Sequence, residues 1–307
     1  MPGTETDEHR EVTDMSVQLK LGGLNKDLGG GFTVRRLLPS AQKQSVGPFL
    51  FFDHFGPITV EPGHSHDVRP HPHIGLATVT YLFDGAIMHR DSLGYSQRIE
   101  PGAINWMTAG KGIVHSERGP EDLKQTAYVN HGIQLWAALP VEHEETNPAF
   151  VHTPAGAIPE LELPGVRVRV LIGNAFGASS PVKTFAPTLY LDVKIDAGCR
   201  FELPALAQEM AVYSIDSDIS IDGEPLAAHT LGMLALDATS IITTDYPARL
   251  MIVGGAALQQ PRLIWWNFVS SRKERIAQAG ADWQAQTLGQ IAGETEFIPL
   301  PEHRPLV

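Results

Sequence analysis

A single cysteine, Cys199, in a chain of 307 residues excludes any internal disulfide and fits a reducing compartment. Its setting, DAGCR, offers nothing that lowers a thiol pKa, so it reads as a strand or turn filler and not a nucleophile. Long apolar runs are missing too. No uninterrupted stretch reaches the ~20 residues needed to cross a bilayer as a helix. Basic charge is scarce: 23 Lys+Arg stand against 35 Asp+Glu, for a formal charge of -12. With no Lys/Arg run to offset it, such a surface is repelled from nucleic acid. The opening MPGTETDEHREVTDM has no apolar centre for a secretory signal and is too acidic for a transit peptide. A cytoplasmic protein with neither membrane nor direct nucleic-acid partner is expected.

What is present belongs to a folded chain, with 43% hydrophobic and 19% charged residues. Its length suits one large domain or two ordinary ones. Short apolar runs such as FTVRRLL, GPFLFFDHFG, LATVTYLFDG and HGIQLWAALP alternate with turn residues, the texture of β-structure. LATVTYLF ends at Asp84-Gly85, a good turn dipeptide. A looser stretch, 141–187, reads as a connection. After it Leu189, Leu191, Val193 and Ile195 alternate with polar residues. SSRKERIAQAGADWQAQ predicts a short helix with Ser270 or Ser271 as N-cap, followed by an extended Pro-rich tail. The expectation is an all-β protein with a flexible tail at 1–16 and units at 17–147 and 148–307. The second unit ends in the helix. No sustained apolar stripe is left over, which favours a monomer.

Two short segments carry chemistry. RPHPHIG holds His71 and His73, and GIVHSER holds His115 and Glu117. In a strand, residues two apart point the same way, roughly 6.6 Å from each other. Two such strands facing each other bring three imidazoles and one carboxylate to a point. Those donors suit a first-row divalent metal and leave coordination positions open. The remaining candidates have plainer readings. His64 and His66, beside Pro62 and Gly63, read as an exposed loop. His54 reads as a barrel-entrance or structural residue, His131 as strand packing, and His89 with Asp91 as either pocket or turn. Gly110 and Gly112 permit a sharp turn, and Ser116 points away from its neighbours by alternation. His229 is the lone histidine between Leu189 and Gly255, so the second unit is expected to hold no metal.

The text HPHIGLATVTYLFDG, HRDSLG, INWMTAGKGIVHSE and HGIQLW resembles the pirin family of the cupin superfamily. The resemblance continues through VYSID, ISIDG and PRLIWWNFVSSRKERI, and so covers about Gly47 to Arg275. It implies two tandem cupin (jelly-roll) β-barrels with metal only in the first. Carried over by position, the ligands are His71, His73, His115 and Glu117. Two departures stand out: Ala77 where pirins usually keep Glu, and Ile74 where many have Arg. The metal implied is divalent, iron(II) first, with manganese, nickel, copper or zinc as other occupants. The activity implied is oxygenation of a flavonol or other small phenol by O2, of the quercetin 2,3-dioxygenase type. Glu117 would then be catalytic, both ligand and general base. The alternative implied is a non-enzymatic, metal-dependent regulator that binds transcription factors or metabolic enzymes. An acidic surface suits such a protein partner better than DNA.

Overall fold

Period-two patterning decides the architecture. In Leu76–Asp84, the side chains of Ala77, Val79, Tyr81 and Phe83 fall on one face and those of Leu76 and Leu82 on the other. A strand apolar on both faces must be covered on both, and this one lies between a barrel interior and a second barrel. The computed structural model describes residues 16–28 and 32–302. In it, the first barrel has a seven-stranded sheet: Ala149–Thr153, Ile104–Thr108, Leu76–Asp84, Tyr128–Ala138, Phe49–Val60, Thr33–Leu38 and Leu24–Asp27. A four-stranded sheet closes it: Val68–His73, Ile113–Arg118, Ile87–Asp91 and Ser96–Ile99.

The second barrel repeats the plan. Its seven strands run Val17–Gly22, Thr230–Leu234, Glu209–Ser214, Ala248–Gly255, Thr188–Ile195, Val166–Ile172 and Glu160–Leu163. Its four are Arg200–Leu203, Ser240–Thr243, Ile219–Ile221 and Glu224–Leu226. One α-helix, Lys273–Gln284, follows, and no helix among the described residues is long and apolar enough to cross a membrane.

The two seven-stranded sheets face each other across a shared apolar layer that includes Phe49, Phe52, Leu135, Tyr190 and Met251. Leu189, Leu191, Val193 and Ile195 fill the second barrel, as their alternation predicts. The polar side of that alternation does not meet water throughout, because Tyr190 and Asp192 are buried against the first barrel. A buried carboxylate needs partners. Asp192 has two bonds from Arg249, at 2.9 and 2.5 Å, and one donated by Tyr81 Oη at 2.7 Å.

Strand pairing crosses the expected boundary at 148 in three places. Val17–Gly22 pairs with Thr230–Leu234 in the second barrel, although it leads into the first. Ala149–Thr153, within the stretch read as a connection, pairs with Ile104–Thr108 in the first. The hairpin Leu263–Trp265 and Phe268–Ser270 and the helix return to the first barrel, where Phe268, Ile276 and Trp283 cover Ile74 and Val114. An open sheet edge accepts any strand of matching polarity, so position along the chain does not decide which barrel it joins. Of the expected tail at 1–16, all but Ser16 lies outside the described residues.

Ser270 and Ser271 do not cap the helix. Arg272 occupies the cap position with no side-chain bond. Both serine hydroxyls instead donate to the buried carboxylate of Glu144, at 3.1 and 2.9 Å, which also pairs with Arg262 at 2.9 Å. That clip fastens the C-terminal hairpin beneath the first barrel.

Candidate metal centre

Ile113–Arg118 runs antiparallel between Val68–His73 and Ile87–Asp91, placing His115 opposite His71 on one side and Asp91 on the other. Gly75 (φ +68°) and Gly110 (φ +52°) sit at the turns beside these strands, joined by a 2.8 Å backbone bond. A Cβ at Gly75 would lie 2.0 Å from the Val269 carbonyl, and one at Gly110 would lie 2.1 Å from that of Thr146. Only glycine fits such left-handed, crowded positions.

Hydrogen bonds on the outer nitrogens set which inner nitrogens are free. His71 Nδ1 lies 2.8 Å from the Arg69 carbonyl, and His73 Nδ1 lies 3.3 Å from that of Asn267. His115 Nδ1 faces His89 Nδ1 at 3.4 Å, while His89 Nε2 lies 2.8 Å from an Asp91 carboxylate oxygen. Carbonyl and carboxylate oxygens can only accept, so His71, His73 and His89 donate to them. His89 Nδ1 then accepts from His115. Each of the three inner rings is left with its lone pair on Nε2.

These ligand atoms all lie within 4.8 Å of one another, and the Nε2 atoms of His73 and His115 are 3.1 Å apart. Lone pairs held this close repel unless a cation lies between them. Burial pushes His71 down to about 4, and His73 and His115 well below the usual imidazole range. All three are therefore neutral at pH 7, the state that binds metal. His71, His73 and His115 form a group that can hold a metal ion.

Glu117 is not part of that close group but lines the same cavity. Glu117 is half-buried, and desolvation pushes its carboxyl up to about 7. It has no hydrogen bond or ion pair among the described residues. A half-buried carboxyl without a protein partner, beside three converging nitrogens, fits a bound cation.

The cavity above the histidines holds about 540 Å³, within the range of small-molecule sites. Trp136 stacks on Phe51 at 3.9 Å and meets His73 edge-on at 5.1 Å, giving a flat aromatic wall. Beside it on the same sheet, Arg36 grips Asp53 through two bonds, at 2.8 and 2.7 Å, and lies 4.4 Å over the Phe51 ring. Burial raises the Asp53 carboxyl despite the pull of Arg36. Trp266 and Ile298, from the C-terminal segment, line the cavity as well.

Other singled-out residues fall as follows. His64 is exposed, whereas His66 stacks on Phe32 at 4.9 Å and lines the cavity instead of lying in a solvated loop. Of the two readings weighed for His89 with Asp91, the turn holds: neither residue lines the cavity, and the other oxygen of Asp91 accepts from the Leu93 and Tyr95 backbone. His54 bonds Tyr213 and His131, each at 2.8 Å, in the layer between the barrels. Ser116 turns away from the ligands and donates to Glu294. Ala77 belongs to the inter-barrel layer, so the glutamate expected there from relatives would not face the histidines. Arg36, Asp53, Trp136 and Asn267 were not singled out from the sequence. Asn267 is 194 residues from His73, and its backbone carbonyl carries no side-chain signal.

Comparison with known proteins agrees with this fold. Residues 31–137 match the Pirin family model and residues 190–289 match the Pirin C-terminal cupin domain. A pirin-like protein of Caulobacter vibrioides is 43% identical over 93% of this chain and 100% of its own length. A Pseudomonas aeruginosa protein, provisionally named quercetin 2,3-dioxygenase, is 37% identical over 84% of this chain and 81% of its own. The crystal structure of quercetin 2,3-dioxygenase from Acinetobacter baumannii superposes with a TM-score of 0.87 at 32% identity, covering 94% of this chain and 96% of that one. With both halves of the chain matched and the histidine group inside the first, the protein belongs to the pirin family.

Proposed function

We propose that the protein is a metal-dependent oxygenase of the quercetin 2,3-dioxygenase type, acting on a flavonol or related phenol. The observation that carries this reading is the convergence of three Nε2 lone pairs at a cavity walled by Phe51 and Trp136. His71, His73 and His115 would hold one divalent metal, with Glu117 turning in as the fourth ligand. Iron(II) is the first candidate; manganese, nickel, copper and zinc are the others. Such a metal supplies Lewis acidity toward a phenolic hydroxyl and, where redox-active, electrons for O2. The chain itself does the rest. The aromatic wall orients a flat substrate, and the Arg36 guanidinium offers charge to a phenolate. Glu117 would take the hydroxyl proton as general base. The C-terminal hairpin and tail, through Trp266 and Ile298, limit water at the cavity.

Protein stripped of metal and reloaded separately with each candidate should consume O2 on addition of quercetin for at least one of them. The His115→Ala variant provides the background. Uptake no greater than that background for every metal would overturn the activity. Metal content measured on the same samples tests the binding site independently of turnover.

A further inference from the structure

We infer that the seam between the two barrels holds a second site, for a small anion bearing two or more negatively charged oxygens. Three strands of the second barrel lie side by side there. Arg167 is directly opposite Lys194, and Lys194 is directly opposite Arg249. Like charges in directly opposed positions destabilise a sheet, so a row of three cations calls for a counter-charge. Along the same face Arg169 stands opposite Asp192. Facing the row from the first barrel are Tyr81, Phe83 and Gly102, and the half-open cleft between them is about 280 Å³.

The carboxylates at hand do not complete this row. Asp192 is taken by Arg249, and Glu160 lies 3.3 Å from Arg169 and 3.5 Å from Arg167. Glu162 reaches Arg167 from outside at 2.6 Å. Lys194 has no hydrogen bond or ion pair among the described residues. The three arginines thus share three carboxylates and Lys194 is the cation left over, in a chain whose net charge is -12.

The donors are also held in place before any ligand arrives. Arg249 is fixed by Asp192 and lies 4.1 Å over the Phe83 ring. Arg169 donates to Tyr81 Oη at 3.0 Å and to the Ala155 carbonyl at 2.9 Å. Gly102 brings bare backbone against it, where a Cβ would lie 2.7 Å from Arg169 Nη1. Preorganised guanidinium groups with a mobile ammonium at the rim suit a phosphoryl group or a small dicarboxylate. The flat, largely apolar substrate of the metal cavity does not suit them. The seam is also separate from that cavity, since Tyr81 and Phe83 face the inter-barrel layer.

The test uses the full-length protein, titrated by calorimetry and followed by melting temperature. Inorganic phosphate and malonate are the probes, and chloride at matched ionic strength is the control. Saturable heat and a saturable rise in melting temperature are expected with phosphate, malonate or both. Phosphate alone would indicate a phosphoryl ligand, and malonate alone a dicarboxylate. Because Lys194 is exposed, Lys194→Met should fold normally and bind about tenfold more weakly or worse. Lys194→Arg should bind as the parent does. Failure of both probes to saturate, an equal effect of chloride, or unchanged affinity in Lys194→Met would each overturn the proposal.

Discussion

The two barrels share one plan, a seven-stranded sheet closed by a four-stranded one, and differ in what their strands point inward. The first two strands of the smaller sheet in the first barrel carry His71, His73 and His115. The strands at the same places in the second barrel bury Phe201, Leu203 and Ile242 in its apolar core. One interior is a cavity with nitrogen donors; the other is a packed core. The fold therefore supplies a cup, and a few inward positions decide whether it becomes a site. Buried polar groups need partners, which explains why the histidine-bearing barrel also recruits Arg69, Asn267, His89 and Asp91.

The sharpest way to break this comparison is to exchange the roles one residue at a time. His115→Ala should remove metal binding and all metal-dependent O2 uptake while leaving the chain folded, because it deletes a neutral, desolvated ring. Metal content per folded molecule should drop from about one to near zero by elemental analysis. A variant that keeps a full equivalent of metal would show that the three-imidazole group is not the site. Leu203→Ala, on the second-barrel strand that takes the place of Val68–His73, should act in reverse. Truncating a fully buried leucine costs about 2–5 kcal/mol, so chemical denaturation should shift strongly. Metal content of the molecules that remain folded should not change. A loss of metal in that variant would mean that the barrels are coupled more tightly than their separate cores imply.

Acid should expose the same contrast in metal-free protein. His71 is pushed down to about 4 when folded, against about 6.5 when unfolded. The unfolded chain therefore binds the extra proton first, and stability falls as pH drops from about 6.5 towards 4. For one such residue the loss approaches ~3 kcal/mol. Glu117 opposes it. Being raised to about 7, it destabilises the fold as pH climbs from 4.5 to 7, and the raised Asp53 acts in the same direction, but three imidazoles outweigh them. Denaturation midpoints of metal-free protein should thus be lower at pH 5 than at pH 7, and His71→Ala should flatten that slope. An unchanged slope in the variant would place the acid sensitivity elsewhere. The buried His54, pushed down to about 3 between the barrels, is the next candidate.

Much of this was legible in the sequence, for physical reasons. Alternation in the LATVTYLF and LYLDVKI runs exposes strand faces, and two pairs of donors at i and i+2 expose a shared direction. What alternation cannot give is the identity of the surface opposite. The polar face of Thr188–Ile195 looks solvated in one dimension, yet Tyr190 and Asp192 on it are buried, Asp192 against Tyr81. Likewise Val17–Gly22 carries a strand pattern but no mark of which open edge it will join. Arg36 and Asp53 are an ion pair across neighbouring strands, 17 residues apart, and nothing in either segment announces a cavity wall.

The smallest effect concerns how the first barrel holds a ligand that the second does not have. His115 is aimed through His89 by Asp91, whereas His71 is aimed by a backbone carbonyl that no substitution removes. In Asp91, one oxygen accepts from His89 and the other from the Leu93 and Tyr95 amides. An asparagine has a single oxygen and cannot serve both. With its oxygen on the turn, its amide N–H faces His89 Nε2, and His89 must move its proton to Nδ1. That proton then meets the one on His115 Nδ1, donor against donor, and the ring turns off its axis. Partners of this kind are worth about 10–100-fold in metal affinity. Asp91→Asn should therefore bind metal about 10–100-fold more weakly with only a small drop in metal-free melting temperature. Equal affinity in competition against a chelator would mean that the strand pairing of His115 alone is enough to aim it.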